Sequence, residues 1–291
     1  QDYFYGTLGF NYDFKERHSI GLRYEPNTPI GNHKRYTHSN VLVKRDGEFL
    51  EEMQTEQMNM NKSRWKHSVN GYYSGNMGQW QLDVNADYLF GQSESLQQIT
   101  NNGEEAAEST NKIRNYLYAV KAVASTPFAK GRLSFGTEET FTNRHDLFFQ
   151  SGFSADADNH VKTGIWSVFA NYSIPLGKWK LNAGFRYEHQ QTDYYEGGVY
   201  KPEQSPTNKD FIPTFSANYA NGDWNLTFSY KPSIYHPHYS LLSSAVDYLS
   251  KYEYTVGNPL LESPRSKTLS LDVSWKGIYF TAFYMSTQNQ Y

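Results

Sequence analysis

The chain has 291 residues, 27 Lys and Arg against 30 Asp and Glu for a formal net charge of -3, and no cysteine. No run approaches the roughly 18 consecutive apolar residues that a membrane-crossing helix needs, and no basic stripe stands out to track a phosphate backbone. Helical membrane proteins are thereby excluded, nucleic acid is not expected as a partner, and the missing thiols remove disulfide frameworks, thiolate zinc sites and cysteine nucleophiles. The unusual quantity is aromatic: 25 Tyr, 18 Phe and 6 Trp in a chain otherwise rich in Asn, Ser, Thr and Gln. Polar stretches interrupt these rings everywhere, so a soluble core with many aliphatic neighbours does not account for them.

In chain order, the period that recurs is 2, the period of a strand. From Phe4 the even positions read Phe4, Gly6, Leu8, Phe10, Tyr12 and Phe14, with Thr7, Asn11 and Asp13 among the residues between them. The alternation returns at Ile20 to Tyr24, Trp80 to Phe90, Tyr116 to Ala124, Trp166 to Ile174 and Trp179 to Tyr187, then at Phe211 to Tyr219, Trp224 to Tyr230, Leu269 to Trp275 and Ile278 to Tyr284. Two further segments are less tidy: Trp65 to Tyr73 carries His67 on its apolar side, and Leu133 to Phe141 carries Glu139.

Connections alternate in length. Short turns with Gly, Pro or Asn-Gly chemistry lie near Lys15 to His18, Gly75 to Gly78, Pro127 to Gly131, Pro175 to Lys178, Asn221 to Asp223 and Lys276-Gly277. Long polar loops are expected at Pro26 to Asn61, Gly91 to Thr110, Asn143 to His160, Gln190 to Asn208 and Pro232 to Ser266, the first holding the hairpin signal Asp46-Gly47, so that its flanking strands are expected to extend well past the membrane. Strands cross hydrocarbon only when every backbone group is paired in a closed barrel, and about 9 to 11 tilted residues suffice. Outward apolar faces, a polar lumen, short turns at one end and long loops at the other describe an outer-membrane barrel. The expected fold is therefore all-β: a transmembrane antiparallel β-barrel with about a dozen strands in this chain. Phe14, Tyr73, Trp80, Trp179, Tyr219, Trp224, Trp275 and Ile278 flank the short turns and mark the periplasmic interface. A soluble β-sandwich would bury mostly Val, Ile and Leu, and its turn lengths need not alternate.

The stretch Leu226 to Trp275 goes further. It reads Leu-Thr-Phe-Ser-Tyr-Lys-Pro-Ser-Ile-Tyr from Leu226, then Tyr254-Thr-Val-Gly-Asn-Pro-Leu-Leu-Glu-Ser-Pro264 before the next strand. This resembles TonB-dependent outer-membrane receptors, particularly the Bacteroidetes-type outer-membrane β-barrel family. There a strand ending in Arg-Pro precedes a loop and a Gly-Asn-Pro-x-Leu-x-Pro element. Here Lys231-Pro232 and Glu262-Ser263-Pro264 depart from that pattern around the Gly257-Asn258-Pro259 core. The resemblance implies a 22-stranded barrel in the bacterial outer membrane, filled by an N-terminal plug. Such a barrel takes up a siderophore, vitamin, oligosaccharide or peptide with energy delivered through TonB. The chain starts at Gln1 without Met and stops at Tyr291 inside what reads as a strand. Residues 1–291 are accordingly expected to be one segment of a larger barrel, without the plug. Two other readings keep the barrel: a non-transporting scaffold of a membrane complex, or a small passive porin closed from about 12 strands.

Candidate chemistry is sparse. His236-Pro237-His238 offers two imidazoles without a third ligand, and Asp156, Asp158 and Asn159 lack the glycine and closing glutamate of a calcium loop. The pairs Glu104-Glu105 and Glu138-Glu139 would point to opposite faces of a strand. No Gly-x-Ser-x-Gly elbow or phosphate loop occurs. Neither an enzyme, a metal nor a cofactor is expected. Arg23, Asp83, Asp87, Lys180 and Arg186 fall on lumen faces, where they would contact substrate or plug. Tyr194, Tyr195, Tyr200, Tyr235 and Tyr239 fall in loops, where they would meet a ligand or a surface lipoprotein.

Overall fold

The computed structural model describes residues 2–15, 17–151, 155–242, 246–250, 252–258 and 260–289. The strands are β1 (Tyr3–Tyr5), β2 (Leu8–Phe14), β3 (His18–Pro29), β4 (His33–Arg45), β5 (Glu48–Lys62), β6 (Lys66–Met77), β7 (Trp80–Asn101), β8 (Glu104–Phe128) and β9 (Gly131–Ser151). They continue with β10 (Ala157–Leu176), β11 (Trp179–Glu196), β12 (Val199–Tyr200), β13 (Thr207–Asn221), β14 (Trp224–Ile234), β15 (Val246–Ser250), β16 (Glu253–Val256), β17 (Arg265–Trp275) and β18 (Ile278–Gln288). One sheet runs β1-β3-β6-β7-β8-β9-β10-β11-β13-β14-β17-β18, with β2 also on β3. Each pairing along this path is antiparallel. Tyr5↔Asn27 and Leu8↔Tyr24 share one register, so β1 and β2 are a single strand interrupted opposite Pro26, which has no N–H to give. That makes the dozen crossings expected from the alternation.

The segments expected as long loops are largely strand. The β7–β8 ladder runs from Gln81↔Ser125 to Asn101↔Glu104 and closes through Asn102-Gly103, both at positive φ (50° and 83°). Asp46-Gly47 turns the β4–β5 hairpin in the same way, at 52° and 88°. Two consecutive left-handed residues give the hairpin twist that matches a right-twisted ladder. At 25 residues β8 is about 80 Å long, well beyond the ~30 Å hydrocarbon core, so the hairpins stand far outside the membrane. Polar composition does not oppose this: above the bilayer both faces are wet, and a strand needs only a partner.

At membrane level the two faces separate. Leu22, Trp80, Tyr118, Val120, Phe135, Phe141, Trp166, Trp179, Phe185, Phe215, Phe228, Leu269 and Phe280 are exposed, all of one parity along their strands. The opposite parity carries Asp83, Asn85, Asp87, Lys121, Glu138, Asn182, Arg186 and Asp272. His67 fits the lipid face because it is stacked between Trp65 and Phe90, with Tyr24 Oη 2.7 Å from Nδ1. Glu139 is opposite Trp166 and Val120 on the same face, one step below Phe141. Glu138, its neighbour, turns inward, as a strand requires. The buried apolar cluster, Ile99, Ala107 and Tyr248, lies above the membrane. Burial is thus inverted relative to a water-soluble fold.

The outer strands are pinned by charge where β5 joins β7: Glu94 accepts a 2.6 Å contact from Lys62 Nζ and pairs also with Arg64. The hydrogen bond from Lys62, with that of Arg64, holds the Glu94 carboxyl below its ordinary 4.5 despite the opposing effect of burial. A carboxyl depressed in the folded state contributes fully above its unfolded value, and the contribution is lost as pH falls through the folded one. Hydrogen exchange of β4 and β5 should therefore accelerate below the ordinary carboxylate range, and Glu94→Gln should remove that pH dependence. On the lipid face, Val84→Arg is expected to cost about 2–4 kcal/mol of folding free energy into vesicles, while Asn85→Arg on the lumen face costs far less. Denaturant titration in lipid vesicles measures both.

Candidate functional site

After β14 the chain crosses the polar face of the sheet at its outer end. Tyr235 N–H donates to Pro264 O (3.0 Å), pinching the neck of a strap, residues 235–264. Within it, His236 meets Glu188 on β11 (3.2 Å), the Arg144 guanidinium of β9 lies 5.6 Å from the Tyr239 ring centre, and Tyr248 Oη accepts from Asn101 Nδ2 on β7 (2.9 Å). Tyr252 donates to Glu51 on β5. A loop that leaves β14 and reaches β5 and β7 spans the concave side, so the polar face is the inside. The strap is itself built: β15 and β16 form a hairpin, Asn258 N–H donates to Leu241 O (2.6 Å), and Asn258 Oδ1 accepts from Leu260 N–H (2.9 Å). Asn258 is the middle residue of the Gly-Asn-Pro core, and its side chain closes that turn. Pro259 lies outside the described residues.

Beneath the strap is a cavity of about 300 Å³. Its floor is Val161, Gln190, Thr192 and Tyr194, the inward residues of β10 and β11 above the membrane; Glu203, Gln204, Pro206 and Asn208 form one wall, and Pro237, Leu242 and Leu260 to Ser263 the other. Gln190 is 9% exposed and its Oε1 has no hydrogen-bond donor, and Gln204 Oε1 is likewise buried and unpartnered. A buried acceptor left without a donor costs about 1–3 kcal/mol. The lining holds two carboxylates and no Lys, Arg or His. Its chemistry favours hydroxyl, amide or amine donors and opposes anions.

Below the cavity an ion-pair relay crosses the inner wall. Lys121 Nζ is 3.5 Å from Glu138, Arg186 bridges Glu138 and Glu188 at 3.0 Å each, and Glu188 meets His236, whose Nδ1 is 3.2 Å from Ser263 Oγ. The relay ties residues of three strands, β8, β9 and β11, to the strap through one histidine.

The residues singled out in the sequence distribute as follows. Arg186 is central to the relay. Asp83 accepts from Ser74 Oγ (2.6 Å) and Gln81 (3.0 Å), Asp87 from Asn70 (2.7 Å), and Arg23 lies 3.6 Å from Glu25. Lys180 has no hydrogen-bonding partner among the described residues, and the five charges do not converge. Tyr194 is not a loop contact: it is an inward strand residue, 2% exposed, donating to Asn159 Oδ1 at 2.8 Å. Tyr195, of opposite parity, faces outward, its ring centre 5.4 Å from that of Tyr200 and 5.7 Å from that of His160. Tyr239 turns inward under Arg144, and Tyr235 is exposed. Asp158 pairs with His145 (2.6 Å) on the face opposite Asn159, which disperses the acidic trio. Glu188, Gln190, Gln204 and Ser263 were not singled out. Extending the period of β11 beyond Tyr187 places 188, 190, 192 and 194 inside and is the signal that would have found Glu188 and Gln190.

A polar-lined, outwardly apolar antiparallel sheet of this kind defines a transmembrane β-barrel protein. Residues 76–291 match the outer membrane protein beta-barrel family, and the chain belongs to that family. It is a protein of the bacterial outer membrane, with a match well beyond the Leu226–Trp275 stretch. Among solved structures, the ferric-catecholate import receptor Fiu from E. coli K12 is similar in fold, with a TM-score of 0.54 at 10% identity over 98% of this chain and 56% of that one. The ferripyoverdine receptor of the Pseudomonas aeruginosa outer membrane, bound to ferripyoverdine, gives 0.52 at 10% identity, over 98% and 46%. The chain thus spans about half the length of these receptors. No curated protein matches it.

Replacing His236 by Ala removes the link between the strap and the ion-pair relay. Hydrogen bonds to charged groups contribute about 1.5–3 kcal/mol, so exchange of the Tyr239–Leu242 and β16 amides is expected to rise tenfold or more while β7–β11 amides at membrane level stay protected. Exchange mass spectrometry in micelles makes the comparison.

Proposed function

We propose that this chain is the barrel portion of a longer outer-membrane receptor that takes up a large nutrient, and that the cavity under the strap is where the nutrient first docks. The observation that carries the reading is a covered, polar-lined cavity at the outer mouth of a polar lumen, with Gln190 and Gln204 in its lining. A passive pore gains nothing from such a cap. β18 pairs with β17 alone, and β1 and β2 with β3 alone, among the described residues. Lipid tolerates no unpaired strand edge, so additional strands complete the wall. On this reading, energy reaches the receptor from the inner membrane through TonB.

The cavity chemistry narrows the nutrient to a neutral or cationic molecule rich in donors, an oligosaccharide or a peptide, rather than an anionic ferric chelate. Acceptors at Gln190, Gln204, Glu203 and Glu262 meet hydroxyl or amino groups, while Pro206, Pro237, Leu242 and Leu260 cover C–H faces.

Equilibrium binding by the full-length receptor in micelles, followed by uptake in cells lacking and then regaining it, tests this. Oligosaccharide or peptide pools should bind, and the double replacement Gln190→Leu with Gln204→Leu should weaken binding at least tenfold, since a site built to bond a donor depends strongly on that bond. Equal affinity for a ferric catecholate and no sensitivity to the replacement would overturn the ligand class. Steady ion conductance in a planar bilayer, with no energised uptake, would favour a porin instead.

A further inference from the structure

On the outside of the barrel, most of the strands that run back into the membrane share a feature that the linear sequence scatters. Above the last lipid-facing ring or aliphatic residue, four of them carry a cation of the same parity: Arg114 after Tyr116 on β8, Lys209 after Phe211 on β13, Lys267 after Leu269 on β17, and Lys162, one step further, beyond Trp166 on β10; β1–β2 carries Asp2 above Phe4 instead. Lys62 and Arg64 stand above Trp65 at the head of β6. The strands running outward carry Gln92, Asn143, His189 and Pro232 at the corresponding places.

Over β7, β8 and β9 the cations converge on a groove of about 540 Å³ that holds Arg64, Lys112, Arg114 and His145, with Gln92 beside them and Glu94 as its one carboxylate. That carboxylate already serves Lys62 and Arg64 together. Lys112 and Arg114 are exposed; the Lys112 ammonium lies 5.7 Å from the centre of the Phe149 ring, and Arg114 has no carboxylate partner among the described residues. His145 is paired with Asp158 at 2.6 Å. Directly below are Phe90, Tyr116, Tyr118 and Phe141, a rough apolar wall for acyl chains.

We infer that this groove binds the phosphorylated sugar headgroup of an outer-leaflet glycolipid, with Arg64, Lys112 and Arg114 on the phosphate and the acyl chains against the rings beneath. Basic pockets at headgroup depth select anionic lipids, and an arginine fork matches a phosphate in two hydrogen bonds. The depth selects the occupant: the cations begin where the lipid-facing rings end, the level at which a lipid places its phosphate. A soluble anion has no reason to sit at that boundary. The inference stands on the barrel orientation and not on the uptake reading.

The test uses the full-length protein in micelles with three probes: phosphorylated lipid A, the same lipid after phosphatase treatment, and inorganic phosphate, read by native mass spectrometry and thermal shift. Retention of the phosphorylated lipid at least tenfold more tightly than the dephosphorylated one, with inorganic phosphate failing to compete at equal concentration, supports the assignment. Lys112→Glu with Arg114→Glu should abolish that preference, and the milder Lys112→Gln with Arg114→Gln should reduce it about tenfold in protein whose gel mobility still shifts on heating. Lys180→Glu, a reversal on the lumen face, should leave it unchanged. Equal retention of both lipids, competition by inorganic phosphate, or an unaltered preference in the folded Gln variant would overturn it.

Discussion

Everything in this molecule follows from the cost of an unpaired peptide group in hydrocarbon. Each buried N–H or C=O without a partner loses several kcal/mol there, and a single strand can satisfy its groups only through its neighbours. The ladder must therefore be continuous from strand to strand across the bilayer, and the side chains are left to divide between two solvents. Because strand geometry alternates, that division follows the pleat: rings such as Trp80, Phe135 and Trp179 face lipid while Asp83, Glu138 and Arg186 face water.

Outside the bilayer the constraint relaxes, and the molecule uses the freedom. The same ladders continue upward with polar residues on both faces, lifting long hairpins such as β7–β8 well clear of the membrane. The polar face then becomes a surface that can be covered. The strap does this from β14 to β5, and the cover turns wall residues such as Gln190, Thr192 and Tyr194 into buried ones. Charges accumulate at both levels of the wall, but for different reasons. Inward ones pair with each other through Arg186 and Glu188, since the wall there is shielded by the strap. Outward ones stay largely unpaired by acids, since they stand where lipid headgroups begin.

The turn built by Asn258 shows how local chemistry serves this arrangement. Its side-chain oxygen takes the Leu260 N–H while its own N–H reaches Leu241, so the strap's far side is locked to its near side without a hydrophobic core. The neck at Tyr235 and Pro264 does the same at the sheet. A strap fixed at its neck and tied to the wall at His236, Tyr239, Tyr248 and Tyr252 is held firmly enough to define a cavity.

By itself the sequence determined the barrel. Period-2 alternation names which residue faces which solvent, and alternating turn chemistry names which end faces which compartment; both are local properties of the chain. His67, which broke the alternation, was explained only by its neighbours, Trp65 and Phe90, between which it is stacked. Polar segments such as 91–110 gave no sign of being strands, because above the membrane nothing forces one face to be apolar and the alternation that reveals a strand fades. The cavity and the cationic groove were settled only by tertiary structure. Gln190 and Gln204, or Arg64 and Arg114, are ordinary polar residues until pairing across strands and a strap from 50 residues away bring them onto one surface.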